Sequence, residues 1–454
     1  MPNVRIEKDS LGEIEVPAEA LYGAQTQRAI NNFNFSDSVL PQVFIRSLGL
    51  IKAAAAEANL ELGLLEPELA AAIISAATAI AAGEHADQFP VEVFQTGSGT
   101  STNMNANEVI AALASKALGE SVHPNDHVNC SQSSNDVIPT AIHVSAELAI
   151  ATSLLPALGQ LQDAISERET ELATVIKTGR THLMDAMPIT FAQELSGWRA
   201  QLAQSEQRIA DARKSLRRLA QGGTAVGTGI NADASFGALF CKHISHSSGH
   251  PFSVAENYFA AISSQDTAVA LSGQLRTLAV ALMKIANDLR WMNSGPLTGL
   301  AEISLKPLQP GSSIMPGKVN PVIPEAVAMA AVQIMGNDSA IAIAGQSGNF
   351  QLNVMLPLIA HNLHQSITLL ANSCTALTQH CIADFEVQFT NIEANLARNP
   401  ILVTALNHKI GYTLAAAIAK RAYSEGRDIM DVALEMTDLD AKALAVLLDP
   451  ANLV

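Results

Sequence analysis

Residues 271–292, LSGQLRTLAVALMKIANDLRWM, carry the pattern that decides the fold. Apolar residues recur there in alternating steps of four and three, at Leu271, Leu275, Leu278, Leu282, Ile285, Leu289 and Met292. Such a repeat places them on one face of a long helix that packs at a shallow angle against other helices. Similar steps recur within residues 154–172, 191–219 and 356–377. Because alternation of period two is almost absent, we predict an all-α protein built on a bundle of long helices.

A charge-free segment predicts that other subunits complete this bundle. Residues 339–383 contain no Asp, Glu, Lys or Arg. A helix that is apolar on several faces is normally buried all round. A single chain of 454 residues would leave some of those faces exposed. We therefore expect an oligomer in which partner subunits bury the central helices.

The composition excludes two classes of protein. Charged residues make up 15% of the chain and hydrophobic residues 48%, so there is ample apolar surface to bury and the chain is not disordered. The formal net charge is −16, whereas a general nucleic-acid binder needs a basic surface. We therefore expect a folded protein with no nucleic-acid partner.

The mean hydropathy of +0.20 raises the question of a membrane-spanning protein. The longest strongly apolar stretch, residues 69–83, is shorter than the roughly 20 residues that a spanning helix needs. We interpret it as a buried core helix and expect no membrane span. The N-terminal residues lack the apolar core of a signal peptide, and the four cysteines form no CxxC motif. We therefore expect free thiols and a cytoplasmic location.

Four polar segments interrupt the helices, and all contain hydroxyl or amide side chains. They are residues 96–105, 131–136, 179–185 and 311–321. Such groups before a helix often bind anions. One segment alone is typical of helix caps and turns. Four of them, together with His182 and Lys318, favour a composite pocket for a small carboxylate anion.

Two other motifs do not meet the requirements of the binding sites that they resemble. Residues 311–318 differ from a phosphate-binding loop in the glycine spacing, and Val319 replaces the required Ser or Thr. Cys241, His243, His246 and His250 have the density of a metal site, but the surrounding Ser, Gly and Pro residues are typical of an exposed helix end. We expect no metal there.

The 311–321 loop, GSSIMPGKVNP, resembles the characteristic loop of the fumarase/aspartase superfamily. Further matches follow the same order as in that superfamily, at residues 22–27, 123–126, 133–136, 179–182 and 222–229. The resemblance therefore covers nearly the whole chain. Within the superfamily the chain is most similar to class II fumarases, because Ser133 is followed by Ser134 where aspartases usually carry Ser-Thr.

The resemblance implies a fold and an assembly. The fold has three domains, expected here at residues 1–133, 134–385 and 386–454. Four central domains would form a 20-helix core in a homotetramer. Each active site would be shared by three subunits, which explains why the polar segments are scattered. Neither a metal nor an organic cofactor is implied.

The resemblance also implies a reaction, the reversible trans addition of water to fumarate to form (S)-malate. Ser312 would be the base that removes a proton from carbon, held as an alkoxide by loop N–H groups and by Lys318. His182, oriented by Glu325, would act on the water or hydroxyl side.

Two anion sites follow by the same resemblance. The substrate carboxylates would be held by Ser98, Gly99, Thr100, Ser133, Ser134, Asn135, Thr181, Ser313, Lys318 and Asn320. A second site near the surface would use His123, Pro124, Asn125 and Asp126. Glu120 stands where members of the family can carry Arg, and we expect it to weaken anion binding at this second site.

Two alternatives remain open from the sequence. The chain could be an aspartate ammonia-lyase or another lyase of the superfamily. It could also be a non-enzymatic structural protein, since the superfamily contains lens proteins. The intact set of site residues argues against the second alternative.

Overall fold

Helices dominate the structure, a computed structural model that describes residues 3–454. The helices of this range are α1 Ala24–Asn32, α2 Gln42–Glu61, α3 Pro67–Ala82, α4 Thr100–Leu118, α5 Ser134–Ala149, α6 Leu155–Glu171, α7 Phe191–Leu216, α8 Phe236–Ser248, α9 Tyr258–Ser263, α10 Asp266–Met292, α11 Val322–Gly345, α12 Leu356–Leu377, α13 Phe389–Ala397, α14 Asn407–Ile410, α15 Tyr412–Glu425, α16 Ile429–Met436 and α17 Ala441–Leu447. The predicted all-α class is confirmed.

In the described part of the chain, the strands form only small two-stranded sheets. They are β1 Val4–Asp9 with β2 Gly12–Pro17, β3 Ile176–Thr181 with β4 Met184–Thr190, β5 Arg218–Leu219 with β6 Ser253–Val254, and β7 Ile303–Ser304 with β8 Glu386–Val387. All except the parallel β5–β6 pair are antiparallel. None of these strands was predicted, although β1 and β2 are six residues each and alternate in burial. The strands β5 to β8 have two residues each, too few to show an alternation.

The long helices bury the faces that the apolar repeats predicted. Every repeat position of α10 from Leu271 to Met292 is buried. The repeat positions of α12 are buried as well; they are Leu356, Ala360, Leu363, Ile367, Leu370, Cys374 and Leu377. On α7, Trp198 is 1% exposed, and its indole N–H donates to Asp288 of α10 at 3.2 Å. The helices therefore pack through these apolar faces, as the steps of four and three predict.

Residues 69–83 form a core helix, as predicted. Helix α3 turns Ala70, Ile73, Ala77 and Ile80 into the core. Gly83 ends the helix in the left-handed region, with φ +95°, where glycine pays no steric penalty.

The charge-free segment belongs to two helices and leaves apolar residues exposed, as expected for a single chain. It is divided between the end of α11 and α12, and Asn353 in the connection donates to the carbonyl oxygen of Ala344 at 2.9 Å. Helix α11 leaves Met329, Val332 and Ile343 exposed at 68, 60 and 60%. The apolar face of α11 is therefore uncovered in a single chain.

The chain forms two compact units. The first contains the described residues up to Pro156 together with Ser205–Ala279 and Ala331–Ala371. The second contains Ala157–Gln204, Val280–Ala330 and Asn372–Val454, and its helices α15–α17 share a core around Leu406, Ile418 and Leu444. The predicted domains 1–133, 134–385 and 386–454 stay a prediction.

Within residues 3–454, three helical stretches are long and apolar enough to cross a membrane by length and composition alone. They are Ser134–Glu171, in which α5 and α6 are joined by a π-helical turn, α10 and α11. The expectation that no apolar stretch reaches this length is therefore wrong. In the most apolar part of each stretch, the share of residues buried inside the chain is 61% for Ser134–Glu171, 50% for α10 and 33% for α11.

Candidate active site

The 311–321 loop, which precedes α11, folds back on itself. The Asn320 side-chain amide donates to the carbonyl oxygen of Gly311, and the Lys318 ammonium donates to the Asn320 amide oxygen, both at 2.6 Å. A Cβ on Gly311 would lie 2.1 Å from the carbonyl oxygen of Lys318, so only glycine fits there. The loop is therefore closed by its own residues.

Ser312 lies at the start of this loop. Its Oγ accepts hydrogen bonds from the backbone N–H groups of Ile314 at 3.3 Å and Met315 at 3.1 Å. Two donors directed at one oxygen favour negative charge on that oxygen. The arrangement is therefore suited to a serine that loses its proton.

Lys318 forms no hydrogen bond with Ser312, although it was expected to stabilise the Ser312 alkoxide. The hydrogen bond of the Lys318 ammonium runs to Asn320 and not to Ser312. Ser313 and Lys318 are both exposed, whereas Asn320 is half-buried. Their side chains are therefore placed to meet an anion that approaches from solvent.

Glu325 lies in the first turn of α11 and is half-buried. It lines a cavity of about 410 Å³ together with Arg290, Trp291 and Lys318. Among the described residues no hydrogen bond or ion pair joins Glu325 to His182, which is exposed. The pairing of these two side chains stays a prediction for the assembled protein.

Thr181 and His182 lie on a β-hairpin, not before a helix as the other polar segments do. Strand β3 ends at Thr181, which pairs with Met184, and His182 and Leu183 form the two-residue turn. Both turn residues have positive φ, at 56° and 60°. A two-residue hairpin turn of this type normally takes Asn or Gly, so His182 is held in an uncommon conformation.

Charged side chains of β3 form ion pairs with two glutamates. Lys177 and Glu302, each 2% exposed, form an ion pair at 2.6 Å. Arg180 contacts the other oxygen of Glu302 at 2.8 Å, and Lys177 also pairs with Glu194 at 2.6 Å. Loss of one member would leave an opposite buried charge without its partner. This network was not predicted, because Glu302 lies far along the chain from Lys177 and Arg180.

The 96–105 segment forms the start of α4 in the first unit. The hydroxyls of Ser98 and Thr100 lie 2.9 Å apart. A Cβ on Gly97 would lie 1.6 Å from the carbonyl oxygen of Val354, and Gly99 has φ +73°. Glycine is therefore required at position 97 for the close approach to Val354 and favoured at position 99 for the left-handed backbone, and both positions fix where the two hydroxyls lie.

The start of α5 presents the 133–136 segment. Ser133 and Asp136 form a capping box at the helix N-terminus. Ser134 Oγ accepts from the side-chain amide of Asn103 at 2.9 Å, and the Asn135 amide donates to the carbonyl oxygen of Ala225 at 2.8 Å. Polar side chains and the first N–H groups of a helix are thus held together, which favours binding of an anion.

Asp136 connects this helix start to a neighbouring loop. One oxygen accepts from Ser133 N–H, and the other from Gly222 and Thr224 N–H at 3.0 and 2.9 Å. Burial raises the pKa of Asp136 to about 6, and the three N–H donors oppose that rise. This contact was not predicted, because Gly222 and Thr224 lie far along the chain from Asp136.

A cavity of about 740 Å³ brings much of the expected binding set together. Its lining includes Thr100, Ser133, Ser134 and Asn135, and also Asn125 and Asp126 of the predicted second site. Ser98 and Gly99 adjoin it through Thr100. Thr181, Ser313, Lys318 and Asn320 belong to the second unit.

The 123–126 segment forms a short π-helical turn, Pro124–Val128. His123 Nδ1 accepts from the backbone N–H of Asp126 at 3.1 Å and lies 3.2 Å from its carboxylate. Glu120 is exposed nearby in the chain. The acidic neighbours agree with weak anion binding, and the second site stays a prediction.

Among residues 3–454, no group of three or more His, Cys, Asp or Glu side chains could hold a metal ion. Cys241 is buried, while His243 contacts Glu57 and Glu61, and His250 lies 3.3 Å from Glu147. These residues therefore have separate partners.

Comparison with known proteins assigns the family. A family model described as "Lyase" matches residues 12–336, and one described as "Fumarase C C-terminus" matches residues 402–454. A fumarate hydratase class II 2 of Pseudomonas aeruginosa is 60% identical over 453 residues, covering 100% of this chain and 99% of that protein. The chain belongs to the class II fumarate hydratase family. A family member from Xylella fastidiosa is 59% identical over 99% of this chain and 95% of its own.

Solved structures agree with this family. The crystal structure of a class II fumarase from Schistosoma mansoni has a TM-score of 0.96 at 38% identity, covering 99% of this chain and 98% of its own. A Brucella melitensis structure titled fumarate lyase:delta crystallin, bound to cobalt, has a TM-score of 0.95 at 44% identity, covering 99% of both chains. The predicted fumarase/aspartase fold is confirmed.

Lys52 is a buried polar residue that was not among the predicted site residues. It is 0% exposed, and its ammonium donates to Asn129 at 3.0 Å and to Gln132 at 2.9 Å. Both acceptors line the 740 Å³ cavity. Lys52 is the one charged residue in the otherwise apolar stretch 48–56 of α2, and this isolation could have indicated a buried lysine.

Proposed function

We propose that this chain catalyses the reversible hydration of fumarate to (S)-malate by trans addition of water. The observation that carries the proposal is the full-length match to curated class II fumarate hydratases at 59–60% identity. The closed 311–321 loop and the polar cavity at the start of α5 support it. Both offer donors to the carboxylates of a small dicarboxylate.

The proposed base is Ser312, which removes the proton from the carbon next to a carboxylate. The N–H groups of Ile314 and Met315 already donate to its oxygen and would stabilise the alkoxide. Lys318 would bind the substrate carboxylate that becomes the doubly charged aci-carboxylate. The hydrogen bond to Asn320 fixes the position of the Lys318 ammonium, so that the group needs to move little to reach the carboxylate.

The proposed acid–base residue on the water side is His182, with Glu325 as its orienting partner. The half-buried Arg180 forms an ion pair with the buried Glu302, and this pair supports the strand that leads to His182. The carboxylates of substrate would be held by Ser98, Gly99, Thr100, Ser133, Ser134, Asn135, Thr181, Ser313, Lys318 and Asn320. Histidine then moves the proton of water while serine moves the proton of carbon, from opposite faces of the double bond.

The test follows the product in deuterated water. Incubation of fumarate with the protein should give malate with one deuterium at C3 in a single diastereomer, as trans addition requires. A mixture of diastereomers would exclude two fixed groups on opposite faces. Preferential deamination of L-aspartate in a parallel incubation would support the ammonia-lyase alternative.

We further propose a homotetramer with active sites shared by three subunits. The uncovered apolar face of α11, with Met329, Val332 and Ile343, supports it, since such a face is normally an interface. Size-exclusion chromatography with light scattering should give four times the chain mass of 47.8 kDa. A stable, soluble monomer would contradict the proposal.

A matched pair of variants tests the position of this interface. Val332→Arg, at a residue 60% exposed on α11, should dissociate the tetramer and cause aggregation. Val446→Arg, at a residue 59% exposed on α17, should leave the tetramer intact. Equal effects of the two substitutions would place the interface elsewhere.

We also propose that the reaction needs no metal or organic cofactor and takes place in the cytoplasm. Dialysis against EDTA should leave the rate of fumarate hydration unchanged, and a loss restored by a divalent ion would contradict this. The four free cysteines, three of them buried, suit a reducing compartment. Fractionation of the source cells should recover the protein with cytoplasmic markers, not in the membrane pellet.

A further inference from the structure

Lys52 is a buried ionisable residue to which the proposed reaction assigns no role. It lies in the middle of α2, is 0% exposed and does not line any of the cavities described above. Moving an ammonium out of water is costly, and a buried lysine needs partners that compensate for the lost hydration. Its hydrogen-bonding partners are the neutral amide oxygens of Asn129 and Gln132.

The side chain of Asn129 links Lys52 to two further asparagines. Its amide oxygen accepts from Lys52 at 3.0 Å and from the side-chain amides of Asn103 and Asn107 at 3.2 Å each. The Asn103 amide also donates to Ser134 Oγ at 2.9 Å. A continuous polar network therefore runs from the buried ammonium to the cavity wall.

Three members of this network reach the 740 Å³ cavity. Asn129, Gln132 and Ser134 line it, and Ser134 belongs to the proposed carboxylate-binding set. The positive charge thus lies directly behind the wall that faces the anion. In a water-poor interior such a charge acts over a longer range than it would in water.

The acidic group that acts on Lys52 does not cancel its charge by direct pairing. Asp136 is fully buried, but its oxygens accept from the backbone N–H groups of Ser133, Gly222 and Thr224. Burial lowers the pKa of Lys52 to about 7, and attraction to Asp136 opposes this lowering. A dianion in the cavity would favour the charged ammonium further.

We propose that Lys52 is a positioning residue that gives the cavity its preference for dianionic over monoanionic carboxylates. It does so by orienting Asn129 and Gln132 and by placing one positive charge behind the cavity wall. This inference rests on the proposed function, because it assumes that the cavity binds the dicarboxylate substrate. Lys52 itself does not touch the ligand.

The experiment compares two inhibitors that differ in charge. Inhibition constants for succinate, a dianion, and for its monomethyl ester, a monoanion, are measured in wild-type protein and in Lys52→Met. The ratio of the two constants should shift by about five- to tenfold against succinate in the variant. An unchanged ratio would overturn the proposal, because a merely structural role would weaken both ligands alike.

Two further variants separate charge from packing. Lys52→Gln retains hydrogen-bond donors without charge and should show the same shift in the ratio. Leu48→Ala, at a fully buried residue one turn earlier on α2, should lower thermal stability and leave the ratio unchanged. A wild-type ratio in Lys52→Gln, or an equal shift in Leu48→Ala, would overturn the charge-based account.

A binding measurement keeps this test independent of turnover. If Lys52→Met folds but is too slow for kinetics, isothermal titration with succinate and its monoester gives the same ratio. If wild-type protein binds succinate but does not hydrate fumarate, the proposed function fails while the role of Lys52 can still be measured. A shifted ratio in such protein would support the proposal for Lys52, and an unshifted ratio would overturn it.

Discussion

The hydroxyl oxygen of Ser312 accepts a hydrogen bond from the backbone N–H of Met315, 3.1 Å away. This contact is made within a loop that is closed by Asn320 and Gly311. A serine in such a loop does not need the substrate to organise its donors. Preorganised donors stabilise developing charge more effectively than donors that must first reorient.

Removal of this hydroxyl should abolish most of the activity. We expect Ser312→Ala to lower kcat by about 10⁴-fold, the upper end of the range for a proton-transfer group. Succinate binding, measured by titration, should change little because the carboxylate-binding side chains remain. Wild-type activity in the variant would show that the base is another residue.

Replacement of Glu325 should have a smaller effect. Glu325→Gln retains the shape of the side chain and removes the charge that would orient His182 and raise its basicity. We expect kcat to fall by about 100-fold, less than in Ser312→Ala, at the same substrate concentrations. A larger loss than in Ser312→Ala would reverse the ranking of the two residues.

A methyl group at Gly97 should disrupt the segment that carries Ser98 and Thr100. The added Cβ would lie 1.6 Å from a backbone oxygen of Val354, so the chain must move. We expect Gly97→Ala to raise KM and to lower the free energy of unfolding by about 2 kcal/mol or more. Gly159→Ala is the control, because its Cβ meets no atom within 4 Å and alanine favours the helix. Similar losses in both variants would contradict the account.

The fold and the site differ in how far the sequence predicts them. The apolar repeat of α10 depends on neighbours three and four residues apart, so its buried face can be predicted from the sequence. The Ser133–Asp136 cap is equally local. The division of the charge-free segment at Gly345 and the contact of Lys52 with Asn129 depend on tertiary packing. The spacing of residues along the chain predicts neither of these two features.

His364 should make the stability of the protein depend on pH. Its ring nitrogen Nε2 lies 2.6 Å from Ser145 Oγ, and burial, with a smaller effect of His361, lowers its pKa to about 4. The unfolded chain therefore binds the proton more readily, and stability should fall as the pH drops from about 6.5 towards 4. The loss approaches about 3 kcal/mol per subunit at the lower limit.

The measurement is thermal unfolding at pH 7.5 and pH 5. His364→Gln, which cannot titrate, should reduce the difference in Tm between the two pH values. His408→Gln, at an exposed histidine, is the control and should keep the wild-type difference. An unchanged difference in His364→Gln would assign the pH dependence to other groups.

The most direct test of the central claim is the initial rate of fumarate loss, followed by absorbance at 240 nm without added metal or cofactor. L-aspartate is assayed in parallel for release of ammonia. We predict rapid, reversible loss of fumarate with formation of malate, and no comparable reaction with aspartate. A flat fumarate trace at high protein concentration, or faster deamination of aspartate, would contradict the proposed function.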